Sequence, residues 1–308
     1  MRRRKDPVAK RVVSCLVPAL RPLPPRLSGR ILGALGSWAL SWNRPQKQEL
    51  DVLVARAAER LGCSWPVRPT AHHWAADTLR WHARDYLLER LNDRQIDSVI
   101  HISGRQHLDA AVAEGHGVLL LFNHFGPFLI HAHWMARHNY TLRWFTERPR
   151  RISKVVRRTF EADGPLGQRD FFLDRRLQAN HAASLIRRGL RMLQAGMIVQ
   201  AAGDVRWSGG RSVSARFLGR EFSFTTNWVS LAACSGARVV PVFAIMNPDG
   251  TYRVEFLESE SIGREAREPQ NAQVCVQRNL DRLEDYIRRA PSNSGEYFYW
   301  LDGQSAAS

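Results

Sequence analysis

The spacing of apolar positions divides the chain into three stretches. Residues 1–45 place Val12, Val13, Cys15, Leu16 and Val17 before a turn at Pro22, Pro24 and Pro25, then run from Ile31 to Trp42 with two Trp near the end. Residues 46–100 carry Leu50, Leu53, Ala57 and Leu61, then Trp74, Leu79, Trp81, Tyr86, Leu87 and Leu91, at helical intervals. From about residue 101 short apolar runs alternate with amphipathic ones. Gly117-Val-Leu-Leu-Leu-Phe122 is continuously apolar, the signature of a strand buried on both faces. A helix is expected from about Pro127, a residue suited to a first helical turn. Further strands are predicted at Leu142–Phe145, Met197–Ala202 and Arg238–Ile245, the last containing Pro241. Tyr252–Phe256 alternates and reads as a half-exposed edge strand after the Pro248-Asp249-Gly250 turn. Helices are predicted over 150–161, 179–194, Thr226–Cys234 and 270–290. The alternation specifies an α/β fold: a mixed central sheet flanked by helices, preceded by an N-terminal helical segment. The expected divisions are 1–45, a helical lead-in over 46–100, and an α/β domain over 101–302.

Charge changes the picture of the first stretch. The 308 residues carry 45 Lys and Arg against 29 Asp and Glu, a net charge of +16. Such a balance attracts an anionic surface or ligand, and the preponderance of Arg suits phosphate oxygens. Arg2, Arg3, Arg4 and Lys5 stand before the apolar run that ends in Trp38 and Trp42. A basic cluster beside a short apolar segment suits a helix lying on the anionic cytoplasmic face of a bilayer. No run of about 20 apolar residues is present for an ordinary spanning helix. Nucleic acid is not an expected partner, because no recognised nucleic-acid motif accompanies the charge. Cys15, Cys63, Cys234 and Cys275 are too scattered for a zinc module or a disulfide framework. Seven of the 11 His lie between His101 and His138, but residues two apart such as His131 and His133 do not share a helix face. Packing or a surface position is therefore expected of them, with His131 close enough in sequence to partner His124 or simply pack, and no metal or cofactor is expected.

The chemistry concentrates at Phe122-Asn123-His124-Phe125-Gly126-Pro127. A buried strand there delivers a His at its carboxyl end, where α/β sheets place their sites. A neutral imidazole in that position can take a proton from an attacking hydroxyl. This stretch resembles the first motif of the lysophospholipid and lipid A acyltransferase superfamily, most closely its lauroyl/myristoyl lipid A branch. Glu147-Arg148-Pro149, the Gly196–Asp204 segment, Phe217-Leu218-Gly219, Leu231–Val242 and the closing Leu283–Trp300 are similar to later motifs in the same order. The resemblance implies a fatty acyl transfer from an acyl-carrier protein or acyl-CoA to a hydroxyl of a lipid or glycolipid acceptor, at the cytoplasmic face of the inner membrane. It implies His124 as general base, with Asn123, Gly126, Arg148 and Arg206 lining the substrate site. The superfamily motif, His-x4-Asp/Glu, requires an acid five residues after the His, and Leu129 stands there. Glu147 and Asp204 are the replacement candidates, since both are expected at strand ends on the same edge as His124. The alternative is a catalytically silent relative that binds lipid or a partner at the membrane.

Overall fold

A computed structural model describes residues 15–89, 91–140, 142–144, 182–209 and 211–302. The expected helix at 150–161, together with Glu147 and Arg148, lies outside the described residues. A helical turn at 15–20 leads into α1 (Pro25–Trp42), α2 (Arg44–Leu61), α3 (Val67–Leu88) and α4 (Asp93–Val99). Then follow β1 (Ile100–Ser103), α5 (Arg105–Ala113), β2 (Val118–Phe122), α6 (Ile130–Arg137) and β3 (Leu142–Trp144). The second half holds α7 (Ala182–Gln194), β4 (Ile198–Ala202), β5 (Ser212–Phe217), β6 (Arg220–Thr225) and α8 (Asn227–Ser235). It closes with β7 (Arg238–Met246), β8 (Tyr252–Phe256), β9 (Glu260–Ser261), α9 (Pro269–Arg289) and the short α10 (Gly295–Phe298).

Seven strands form one curled mixed sheet in the order β1-β8-β7-β2-β4-β3, with β9 also on β7, and β5–β6 make a separate hairpin. β2 is parallel to both β4 and β7, and β3 is parallel to β4, so all four carboxyl ends share one edge. β8 runs antiparallel to β7 and parallel to β1. The continuous apolar run of β2 has a direct cause. Leu119 and Leu121 enter a core with α8, α9 and the hairpin, while Val118, Leu120 and Phe122 enter a second core with α4, α5 and α6. Both faces are therefore dry, and each large side chain contributes about 1.5–3 kcal/mol by leaving water. Pro241 is accommodated inside β7 because it sits between the stretch paired to β9 and the stretch paired to β8. Its carbonyl accepts from Leu257 N on that side at 2.9 Å, so the missing N–H interrupts no bond to β2.

β8 is not an edge strand. Its alternation is real, with Tyr252, Val254 and Phe256 buried, but β1 covers its outer side. The four residues of β1, two of them His101 and Ser103, carry too little apolar pattern to announce a strand.

α1 packs lengthwise on α3 through small residues. A Cβ at Gly36 would stand 2.6 Å from the Ala75 carbonyl oxygen and 2.9 Å from Ala76 Cα. Near the other end, the Arg80 guanidinium donates to Gly29 O at 2.8 Å, Pro248 O at 2.8 Å and Asp77 Oδ1 at 3.2 Å, tying α1 and α3 to the turn after β7. Among the described residues no helix is long and apolar enough to cross a membrane. Gly36→Ala is expected to push the two helices apart and cost about 1–3 kcal/mol in urea denaturation; an unchanged midpoint would contradict this close packing.

Candidate active site

The register of β2 against β4 builds the site. Phe122 pairs with Ala202, and Gly203 N donates to Phe122 O at 2.8 Å, extending the ladder one step past both strands. The next step sets His124 beside Asp204. One carboxylate oxygen, Oδ1, lies 2.9 Å from His124 Nδ1, and the other accepts the His124 backbone N–H at 2.9 Å. Tyr297, reaching in from α10, donates its hydroxyl to Oδ2 at 2.6 Å. Asp204 is buried, whereas the His124 side chain is 38% exposed.

Burial alone would raise the Asp204 carboxyl. The charge and ring N–H of His124, the Tyr297 hydroxyl and the His124 backbone N–H outweigh it, and hold the carboxyl below the ordinary aspartate range. Burial, then the charge of Asp204, drive the Tyr297 hydroxyl the other way, well above the ordinary tyrosine range, so it stays a donor. With an ionised carboxylate at Nδ1, the proton of a neutral imidazole sits on Nδ1 and the lone pair on Nε2. Phe122 and Phe128 flank the ring edge-on, at centroid distances of 5.6 and 5.0 Å. The pair is thus a half-exposed imidazole oriented by a desolvated carboxylate, with an apolar wall on one side.

The loop that carries His124 is clamped by backbone contacts. Gly126 has φ +55, and a Cβ there would lie 2.4 Å from Ala244 O, so a side chain is excluded on both conformational and steric grounds. Its N–H donates to Asn293 O at 2.8 Å, while Asn293 Oδ1 accepts from Met246 N at 2.8 Å. Asn293 therefore joins the loop to the end of β7. Asn123, expected beside substrate, is instead 2% exposed and exchanges two hydrogen bonds with Asn279 of α9, at 3.2 and 3.0 Å. Both residues hold the loop from behind. Leu129 caps the start of α6 and packs against the second core, where no acid group is offered to His124.

His131 is buried and its Nε2 lies 2.7 Å from Gln200 Oε1, so it braces α6 against β4 rather than partnering His124. Burial, despite the Gln200 bond, brings its pKa down to about 4, which keeps it neutral. Arg206, two residues beyond Asp204, lays its guanidinium over Phe222 and Trp300. Sequence reading missed Tyr297, Asn293 and Asn279. They lie in the last forty residues, two of them inside the closing Leu283–Trp300 motif segment, but no spacing there singles them out as partners of the His124 loop.

A half-exposed imidazole thus stands against a buried carboxylate at the carboxyl edge of a mixed sheet. The sequence model of the bacterial lipid A biosynthesis acyltransferases matches residues 86–303, well over half of the chain, and the chain belongs to that family. Among curated proteins, none matches this sequence. Membership makes acyl transfer between an acyl donor and a lipid acceptor the general chemistry to be explained.

Two consequences of the hydrogen bonding can be measured. Tyr297→Phe leaves a buried carboxylate oxygen short of one donor and should cost about 1–3 kcal/mol in urea unfolding. Because the folded value of Asp204 is depressed, its contribution to stability is complete above the ordinary value of 3.8 and lost as pH falls through the lower folded value. The stability gap between the native protein and Asp204→Asn should therefore narrow below about pH 4. A gap that stays constant across acid titration would show that the carboxylate is not held in this way.

Proposed function

We propose that the protein transfers a fatty acyl group from an acyl-carrier protein or acyl-CoA thioester to a hydroxyl of a lipid or glycolipid acceptor. The reaction would take place at the cytoplasmic face of the inner membrane. The observation that carries the proposal is the contact of Asp204 with His124, which supplies the acid absent at Leu129. In this reading His124 Nε2 removes the acceptor hydroxyl proton as the oxygen attacks the thioester carbonyl. Asp204 stabilises the resulting imidazolium without itself taking the proton. Collapse of the tetrahedral adduct breaks the C–S bond, and the imidazolium returns its proton to the departing thiolate. Glu147 and Arg148 enter the proposal through their motif position alone, Arg148 as a ligand for phosphate.

The membrane side of the proposal rests on α1. Trp38 and Trp42 are 61% and 76% exposed, and Leu27, Arg26, Arg30 and, at the start of α2, Arg44 are exposed as well. Exposed Trp beside Arg suits the headgroup layer of an anionic bilayer. We assign residues 1–45 to this contact and 101–302 to the acyl transfer. Replacing Trp38 and Trp42 together by Ser should weaken co-sedimentation with phosphatidylglycerol vesicles by about tenfold. Native-like sedimentation of that variant would remove α1 from membrane contact.

A catalytically silent relative is the competing reading, favoured by Leu129. Lipid mass spectrometry and in vitro acyl transfer with His124→Ala and Asp204→Asn decide between them. Each substitution should lower the rate by about 10⁴, the scale of loss when an oriented base loses its partner. Leu129→Glu should also lower it, because the new charge enters an apolar wall while the imidazole already has its carboxylate. Identical lipid profiles from all four proteins would establish the silent reading.

A further inference from the structure

Beyond Asp204 the chain does not leave the site at once. Val205 O accepts from Thr225 N at 3.0 Å, Trp207 N donates to Ser223 O at 3.0 Å, and Arg206 forms a bridge to Phe224. This short run adds itself to the β5–β6 hairpin as an extra strand. The Arg206 guanidinium carbon is thereby held 4.6 Å from the centre of the Phe222 ring and 5.0 Å from that of Trp300. Arg220 approaches the same Phe222 ring at 5.8 Å and spends one N–H on Leu301 O at 3.2 Å.

Two guanidinium groups on one aromatic platform repel each other, and among the described residues neither has a carboxylate at ion-pair distance. Arginines elsewhere on the surface behave differently: Arg278 and Arg282 share Glu260 at 2.8 Å each, and Arg288 takes both Glu284 and Asp285 at 3.0 Å. Partial burial, then the charge of Arg220, lower the Arg206 pKa, as expected where positive potential is left uncompensated. The Phe222 and Trp300 rings support the two guanidinium groups, and a guanidinium fork is the group that grips phosphate oxygens. The platform is also joined to the dyad, since the Trp300 ring lies 5.2 Å from the ring of Tyr297, whose hydroxyl holds Asp204.

We propose that Arg206 and Arg220 form a phosphate-binding subsite that anchors a phosphate ester of one substrate at a fixed distance from His124. This rests on the acyl-transfer reading for its purpose, but not for its test. The phosphate could come from the donor, as in coenzyme A and the phosphopantetheine arm of a carrier, or from the headgroup of the acceptor.

Isothermal titration of the full chain with coenzyme A and, separately, with dihexanoyl phosphatidic acid below its micellar concentration distinguishes the sources. At least one should bind the native protein and be displaced by inorganic pyrophosphate. Binding of coenzyme A alone assigns the subsite to the donor, and binding of the phosphatidic acid alone assigns it to the acceptor. Arg206→Gln and Arg220→Gln should each weaken that binding by about tenfold or more, the scale of a hydrogen bond to a charged group. Arg206→Lys, which keeps the charge but not the fork and places less demand on folding, should fall between native and Gln. His124→Ala should bind as the native protein does, so a failure of catalysis and a failure of the subsite are told apart. Absence of binding for both probes at millimolar concentration would overturn the proposal, as would native affinity in the double Gln variant.

Discussion

The parallel register between β2 and β4 is the constraint on which the site depends. Phe122 faces Ala202, and two residues further along each strand His124 faces Asp204. A slip of one residue would turn every side chain of the strand to the other face. Leu119 and Leu121 would then trade cores with Leu120 and Phe122, and Asp204 would be carried out of reach of the imidazole. The two cores therefore do more than stabilise the sheet. By taking alternate residues of β2, they fix the register that sets His124 beside Asp204.

Burying Asp204 carries a desolvation cost that the surrounding donors must offset. The ring N–H and backbone N–H of His124 and the hydroxyl of Tyr297 do so from separate elements, one from the loop after β2 and one from α10. On the proposed reading, that arrangement gives the imidazole a carboxylate even though Leu129 stands where the resemblance calls for an acid. The carboxylate beside His124 comes from the end of the neighbouring strand, and Leu129 packs against the second apolar core. The loop between them is held independently by Asn123–Asn279 and by Asn293, so the imidazole is oriented from below, behind and beside.

Much of this architecture was written in local pattern. β2 and β4 were legible because strands dry on both faces read as unbroken apolar runs, and α9 because Val276, Leu280, Leu283 and Ile287 recur at helical spacing. The position of His124 followed from the strand that precedes it. What escaped was information carried between distant segments. β8 alternates like an edge strand, and only the pairing with β1 shows that it is interior. The β5–β6 hairpin turns at Leu218 and Gly219, with φ of +51 and +71; Phe217-Leu218-Gly219 stood out only as a family motif, which revealed neither the turn nor the strands on either side. Asp204 was nominated together with Glu147 because strand ends share an edge, whereas its distance from the imidazole is a property of register. Tyr297 lies within the closing Leu283–Trp300 segment, but nothing in that segment points to a partner ninety-three residues away.

A kinetic double-mutant cycle tests the central claim most directly. Acyl transfer would be measured for the native protein, His124→Ala, Asp204→Ala and the double variant. If the two residues act as one unit, the double variant is no slower than the slower single variant, because each loss already removes the same function. Rate losses that multiply, or a native rate no faster than the uncatalysed background, would contradict the account.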